Sequence, residues 1–278
     1  MLHRSPTLTN RNQDASLAGL AKRIRLTILN ESRRAGVGHI GSALSVADII
    51  AALYGRVLRV SDPTDPDRDR FVMSKGHAVL AVYAALRDRG WIDDATVSSY
   101  CGDQTLTGTH PDHELPGIDF STGSLGQGLS FGAGAALAAR LSGSDRRAFV
   151  LVSDAECNEG SLWESVMFAA QHQLSNLVAI IDMNGQQALD HTERVLDLSP
   201  IERRWAAFGW RTHVVDGHDL DQLTSALSNR GASRAAPQVV VARTVFGKGV
   251  SFMEGRVRWH YMPMNDDEYR EAVEQVDR

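Results

Sequence analysis

Two short apolar runs joined by a helical pattern constrain this chain more than any other feature. Residues 149–152 read F-V-L-V and lead into an acid, Asp154; residues 177–181 read L-V-A-I-I and end in Asp182-Met183-Asn184-Gly185. Between them, residues 160–174 carry helical spacing, with Leu162, Val166, Phe168 and Ala169 on the inward face. A strand–helix–strand crossover makes the two strands parallel, so both carboxyl ends open on one edge of a sheet. Asp154 and Asn184, thirty positions apart in the chain, therefore converge. A carboxylate, an amide carbonyl and backbone carbonyls are the oxygen donors that hard divalent cations take, often together with phosphate. The helix opening near Gly160 points its positive end at the same crevice, where a phosphate would sit.

The same alternation runs through the rest of the chain. Residues 17–34 form an amphipathic helix with Leu20, Ile24, Leu26, Ile28 and Leu29 apolar, and residues 45–54 a second one, N-capped by Ser45. A strand over 70–73 leads into S-K-G-H, and 78–87 is helical. Residues 122–141 carry many glycines and alanines; such a helix is stable only where close packing or ligand approach uses the missing side chains. Strands over 211–215 and 238–244, helices near 200–208 and 220–228, and an acidic helix over 265–278 complete the pattern. Asp216-Gly217-His218-Asp219 reads as a strand-end turn and helix cap. The predicted fold is α/β: a mostly parallel twisted sheet with helices on both faces.

At 278 residues the chain has room for one such domain, residues 1–278, with a flexible N-terminus over about 1–15. A net charge of −5 with dispersed charges gives no footprint for nucleic acid. The two cysteines, Cys101 and Cys157, offer neither a disulfide framework nor zinc spacing, and point to a reducing, cytoplasmic setting. No apolar run approaches the roughly twenty residues of a membrane span, and the N-terminal residues lack the apolar core of a signal peptide.

Ten histidines are present, and four stand in loops at strand or helix junctions: His39 in G-H-I-G, His77 in S-K-G-H, His110 in T-H-P, and His260 after Trp259. One glycine–histidine pair in a loop is ordinary. Four loop histidines at such junctions match the places where open α/β sheets collect ligands. Imidazoles donate to phosphate and hydroxyl oxygens and exchange protons near neutral pH.

The segment S-D-A-E-C-N-E-G-S-L-W-E, followed by D-M-N-G, resembles the thiamine diphosphate motif and is specifically similar to transketolase. T-H-P-D-H-E-L-P-G, S-T-G-S-L-G-Q-G and G-K-G-V-S-F-M-E match further segments of that family, over residues 17–267. The resemblance implies that thiamine diphosphate and Mg²⁺ (or Ca²⁺ or Mn²⁺) are cofactors, with Asp154, Asn184 and the Gln186 carbonyl as metal ligands. It places the Ala155 backbone, His77 and His260 at the diphosphate, and the backbone of Gly123 and Leu125 at the aminopyrimidine. Substrate falls to His39, His77, His110 and His260, and Glu159 and Glu164 match acidic positions near the cofactor at a subunit interface. Three departures stand out: Ser153 and Ala155 replace motif glycines, and Tyr261 follows His260 where glycine is common.

The resemblance covers only the diphosphate-binding half of a transketolase. It implies the N-terminal subunit of a two-component enzyme that transfers a two-carbon ketol unit from a ketose to an aldose acceptor. The partner would be a C-terminal, pyrimidine-domain subunit supplying the glutamate that activates the cofactor, in an α2β2 assembly acting on sugars or sugar phosphates. Two alternatives share the fold: another thiamine diphosphate enzyme, such as deoxyxylulose phosphate synthase or a two-component ketoacid dehydrogenase, and a non-catalytic regulatory or scaffold subunit. A nicotinamide-binding dehydrogenase fits poorly, because no strand leads into G-x-G-x-x-G.

Overall fold

The computed structural model describes residues 15–230 and 236–278; the expected flexible segment 1–15 lies outside them except for Ala15. Five strands form one sheet: β1 (Arg70–Met73), β2 (Ala148–Ser153), β3 (Leu177–Met183), β4 (Arg211–Asp216) and β5 (Gln238–Arg243). Their order is β1-β2-β3-β5-β4, with every pair parallel. In register, Ser153 pairs with Asp182 and Met183 with Arg243, so the ends of β2, β3 and β5 line up along one edge.

The inner strands β2, β3 and β5 are largely apolar because both faces are covered, whereas the edge strand β4, R-T-H-V-V-D, is partly exposed. Phe149, Leu151, Val178, Ile180, Val240 and Ala242 face one core, shared with the helices Leu17–Ala35, Leu80–Asp88 and Leu220–Ser228. The alternate residues Val150, Val152, Ala179, Ile181, Val239 and Val241 face a second core, closed by Gly128–Leu141, Gly160–Gln171 and Ile201–Ala207. Each fully buried Val, Leu or Ile contributes roughly 1.5–3 kcal/mol, and the period-two alternation divides that contribution between the two faces. Among the described residues no helix is long and apolar enough to cross a membrane.

Local differences from the sequence expectation have identifiable causes. The crossover helix ends at Gln171 rather than 174, and Phe168 points outward at 40 % exposure, tilted against the His172 ring with centroids 4.2 Å apart. The helix expected over 45–54 is two short helices, Ile40–Ser45 and Ala47–Ala52, followed by a wider turn over Leu53–Val57. Ser45 caps nothing. Its hydroxyl turns inward to donate to Asp182 Oδ2 at 2.7 Å, because a buried carboxylate needs that donor more than a helix end does. The turn over 216–219 matches its expectation: Asp219 N-caps Leu220–Ser228 by accepting from the Asp221 and Gln222 amides.

The small-residue helix shows what its glycines do. Gly128 packs on the Ser74 side chain and Gly132 on Val150, and a Cβ at either position would overlap its neighbour. Gly134, on the outer side of the same helix, has nothing within 4 Å of a built Cβ. Gly132→Ala is expected to destabilise the fold by about 1–3 kcal/mol, and Gly134→Ala to stabilise it by roughly 0.5–1 kcal/mol. Urea unfolding of the two variants checks this, and equal effects would contradict the packing account.

Candidate active site

The carboxyl edge of the sheet gathers the loops that carry the chemistry. Its centre is a buried ion pair: Lys75 Nζ, after β1, contacts Asp182 Oδ2, near the end of β3, with side chains 1 % and 0 % exposed. Asp182 also accepts from Ser45 Oγ, from Asn184 Nδ2 at 2.9 Å, and from Thr244 Oγ1 just past β5. Three other segments are thereby fixed to the end of β3. A buried charge pair keeps its place only with such complete hydrogen bonding.

Glu156 performs the same task one step away. It is fully buried and accepts from the Ser74 hydroxyl, the Gly126 amide and the Ser153 amide, the last two at 2.9 Å. The S-K-G-H turn, the glycine-rich loop and the end of β2 are therefore locked together. Burial raises the Glu156 pKa, opposed by these donors. The sequence reading does not single out Lys75, Asp182 or Glu156. The signal that could have found them is a charged residue close to each motif residue at the end of an apolar strand.

The convergence expected of Asp154 and Asn184 is present. The Gly185 amide donates to Asp154 Oδ2 at 2.8 Å, Thr192 Oγ1 donates to the same oxygen at 2.9 Å, and the Ala155 amide donates to Oδ1. Asn184 Oδ1 accepts from the Gln186 amide at 2.9 Å. Gln186 pairs with His191 across a small hairpin, and its own side-chain amide is buried without a partner. Asp154 borders a cavity of about 280 Å³, together with Cys157, Met183, His191 and Thr192. Burial, reinforced by Asp182, pushes the Asp154 pKa up to about 6, against the pull of Thr192 and Lys75. A buried carboxylate beside an amide carbonyl, with an orphaned amide alongside, suits a hard divalent cation held by oxygen. Cys157 is buried, and burial together with Asp154 and Glu156 holds its thiol far above the usual range, so it is inert.

Three of the four loop histidines meet. The ring centroids of His39, His77 and His260 lie 5.1–5.4 Å apart, and the His39 amide donates to the His260 carbonyl at 2.8 Å. His110 stands at the rim, its ring against Gly76 and Gly123, with its carbonyl accepting from Tyr83 Oη. Thr122 ties that loop to the Met73 carbonyl at 2.6 Å, and Leu125 is partly exposed beyond it. Tyr261 covers the cluster, 4.8 Å from His260 and 5.7 Å from His39, and is 58 % exposed. Glu159 is exposed and packs against Gly126; Glu164 is exposed as well.

Burial lowers the pKa of all three clustered histidines. Lys75 and His39 depress His77 further, and His39 and Lys75 bring His260 to about 4. The folded protein thus holds neutral imidazoles where an unfolded chain takes up protons below about 6.5. Their stabilising contribution is complete above that pH and is lost as pH falls towards 4. Asp154 works in the opposite sense, because its raised pKa favours the folded state as it becomes protonated below about 6. His260→Gln is expected to reduce the drop in unfolding temperature between pH 7 and pH 5 by a few degrees; an unchanged drop would contradict the buried neutral state. Lys75→Met strands the Asp182 charge and should cost about 3–5 kcal/mol, with Lys75→Met/Asp182→Leu less damaging than their sum in denaturant unfolding.

A parallel sheet that gathers a metal-type carboxylate, an asparagine and a histidine cluster at its carboxyl edge defines a cofactor-binding enzyme domain of the doubly wound class. The family described as transketolase, thiamine diphosphate binding domain, matches residues 17–276, and the chain belongs to that family. It is 36 % identical over 269 residues to the 6-deoxy-6-sulfo-D-fructose transketolase subunit of Clostridium sp. (strain MSTE9), covering 96 % of this chain and 98 % of that relative. It is 39 % identical over 245 residues to an apulose-4-phosphate transketolase subunit of Phocaeicola vulgatus, covering 87 % of each. Transketolase from Leishmania mexicana superimposes with a TM-score of 0.88 at 28 % identity, over 96 % of this chain and 42 % of that one. The chain thus spans the length of separate transketolase subunits and about two fifths of this solved transketolase.

Proposed function

We propose that the chain, as one domain over residues 1–278, is the diphosphate-binding subunit of a thiamine diphosphate- and Mg²⁺-dependent transketolase. It is active only with a separate pyrimidine-domain subunit, in an α2β2 assembly. The observation that carries this reading is length set beside site: the chain matches 98 % of a named transketolase subunit but 42 % of a solved transketolase chain, while its own loops gather at one edge. The reaction is transfer of a two-carbon ketol unit from a ketose or ketose phosphate to an aldose. The names of the two subunit relatives, for a sulfo-sugar and for apulose phosphate, favour a specialised sugar over a central one.

In this reading Asp154, Asn184 and the Gln186 carbonyl hold the cation, which Ca²⁺ or Mn²⁺ also satisfies through the same oxygen set. His77, His260 and the Ala155 backbone meet the diphosphate; the Ala155 amide now engages Asp154 and would be shared or released. Gly123 and Leu125 face the aminopyrimidine, and Glu159 lies beside that loop at the subunit junction. When bound, the cofactor supplies the nucleophilic carbon that the chemistry requires. The chain's own work is to orient the sugar through His39, His77, His110 and His260, whose rings donate, accept and exchange protons, and to exclude water beneath Tyr261. Two unpaired cysteines support a reducing, cytoplasmic setting.

Asp154→Ala tests the assignment. It is expected to weaken Mg²⁺-dependent thiamine diphosphate binding by the assembled subunits at least about 100-fold, with the fold intact by circular dichroism. Undiminished cofactor affinity in the folded variant would overturn it.

A further inference from the structure

The histidine cluster has a geometry of its own. The centroids of His39 and His77 are 5.1 Å apart, those of His39 and His260 5.2 Å, and those of His77 and His260 5.4 Å, so the three rings stand at the corners of a nearly equilateral triangle. One nitrogen from each ring lies within 4.8 Å of the other two. The Nδ1 atoms of His39 and His260 are buried and have no hydrogen-bond partner, and His260 is only 9 % exposed. Buried polar atoms are nearly always paired, and two orphaned imidazole nitrogens in one cluster indicate a ligand.

We propose that His39, His77 and His260 form a binding site for a borderline transition-metal ion, Zn²⁺ or Co²⁺, separate from the oxygen-lined site at Asp154. A tetrahedral ion that holds three imidazoles at about 2.0–2.1 Å places their ring centroids roughly 5.2 Å apart. The observed triangle already has that size. Coordination requires the ligand nitrogens, now within 4.8 Å of one another, to draw closer by rotation of the rings about their side-chain bonds. Neutral imidazole is the donor such ions prefer, whereas Mg²⁺ keeps to oxygen, so the two sites sort the two kinds of metal. Three protein ligands leave a fourth position for water on the side that Tyr261 partly covers. The Lys75 ammonium, whose charge opposes a cation here, is paired with Asp182.

The site does not depend on the functional reading. Its consequence does: an ion there occupies the imidazoles assigned to diphosphate and sugar, so the metal-loaded chain would be held inactive. Tag-free, chelator-stripped protein titrated with Co²⁺ is expected to develop the visible bands of a four-coordinate ion, and Zn²⁺ should abolish them on displacement. His39→Gln, His77→Gln and His260→Phe should each weaken Zn²⁺ binding at least tenfold, about 1.4 kcal/mol, in competition with a chromophoric chelator; Phe at 260 keeps a ring stacked on Phe246. Asp154→Ala should leave Zn²⁺ affinity unchanged while removing Mg²⁺-dependent cofactor binding. Absence of the four-coordinate bands in the unaltered protein, Zn²⁺ affinity insensitive to all three histidine variants, or a loss in Asp154→Ala would overturn the proposal.

Discussion

The contact between Lys75 and Asp182 is the one on which the candidate site depends. Their side chains are essentially inaccessible and lie 107 positions apart in the sequence. Two charges in that position are costly to desolvate, and removing one partner exposes the full cost of the other. The surrounding donors offset this cost: Ser45, Asn184 and Thr244 all converge on the same carboxylate. The result is a fixed junction between the ends of β1, β3 and β5 and the helix Ile40–Ser45. Glu156 extends the junction to β2 and the glycine-rich loop, through Ser74, the residue next to Lys75. Loops, ordinarily the mobile part of an α/β domain, are here braced from beneath by two buried carboxylates.

The junction also sets the electrostatics above it. Lys75 contributes to lowering the pKa of His39, His77 and His260, and Asp182 contributes to raising that of Asp154. A neutral histidine cluster and a carboxylate with unusual affinity for a proton share the carboxyl edge of the sheet. Such environments are characteristic of ligand sites, where the incoming charge completes a balance the protein leaves open. An anionic diphosphate together with its cation would supply both missing charges at once.

Much of this is legible in the sequence. The apolar runs 149–152 and 177–181 fall inside β2 and β3, and their parallel register brings Asp154 beside Gly185 as the crossover argument requires. Three of the four loop histidines meet, although they come from segments up to 221 positions apart. The bracing is what the sequence hides. Nothing local marks Lys75 and Asp182 as partners, since long-range pairing leaves no periodic signature, and Ser45 reads as a cap because Ser before an apolar stretch usually is one. Phe168 reads as inward because helical spacing alone does not say how wide the buried stripe is. Tertiary hydrogen bonding overrides local preference at Ser45, and the limited width of the packed face does so at Phe168.

Division of labour between two chains is the central claim. This chain contains the edge that would hold a diphosphate and its cation, and it spans about two fifths of a solved transketolase. Ketol transfer measured on the purified chain, on a pyrimidine-domain transketolase subunit, and on their mixture, each with thiamine diphosphate and Mg²⁺, addresses it directly. The account predicts turnover only in the mixture. Robust turnover by this chain alone would contradict it.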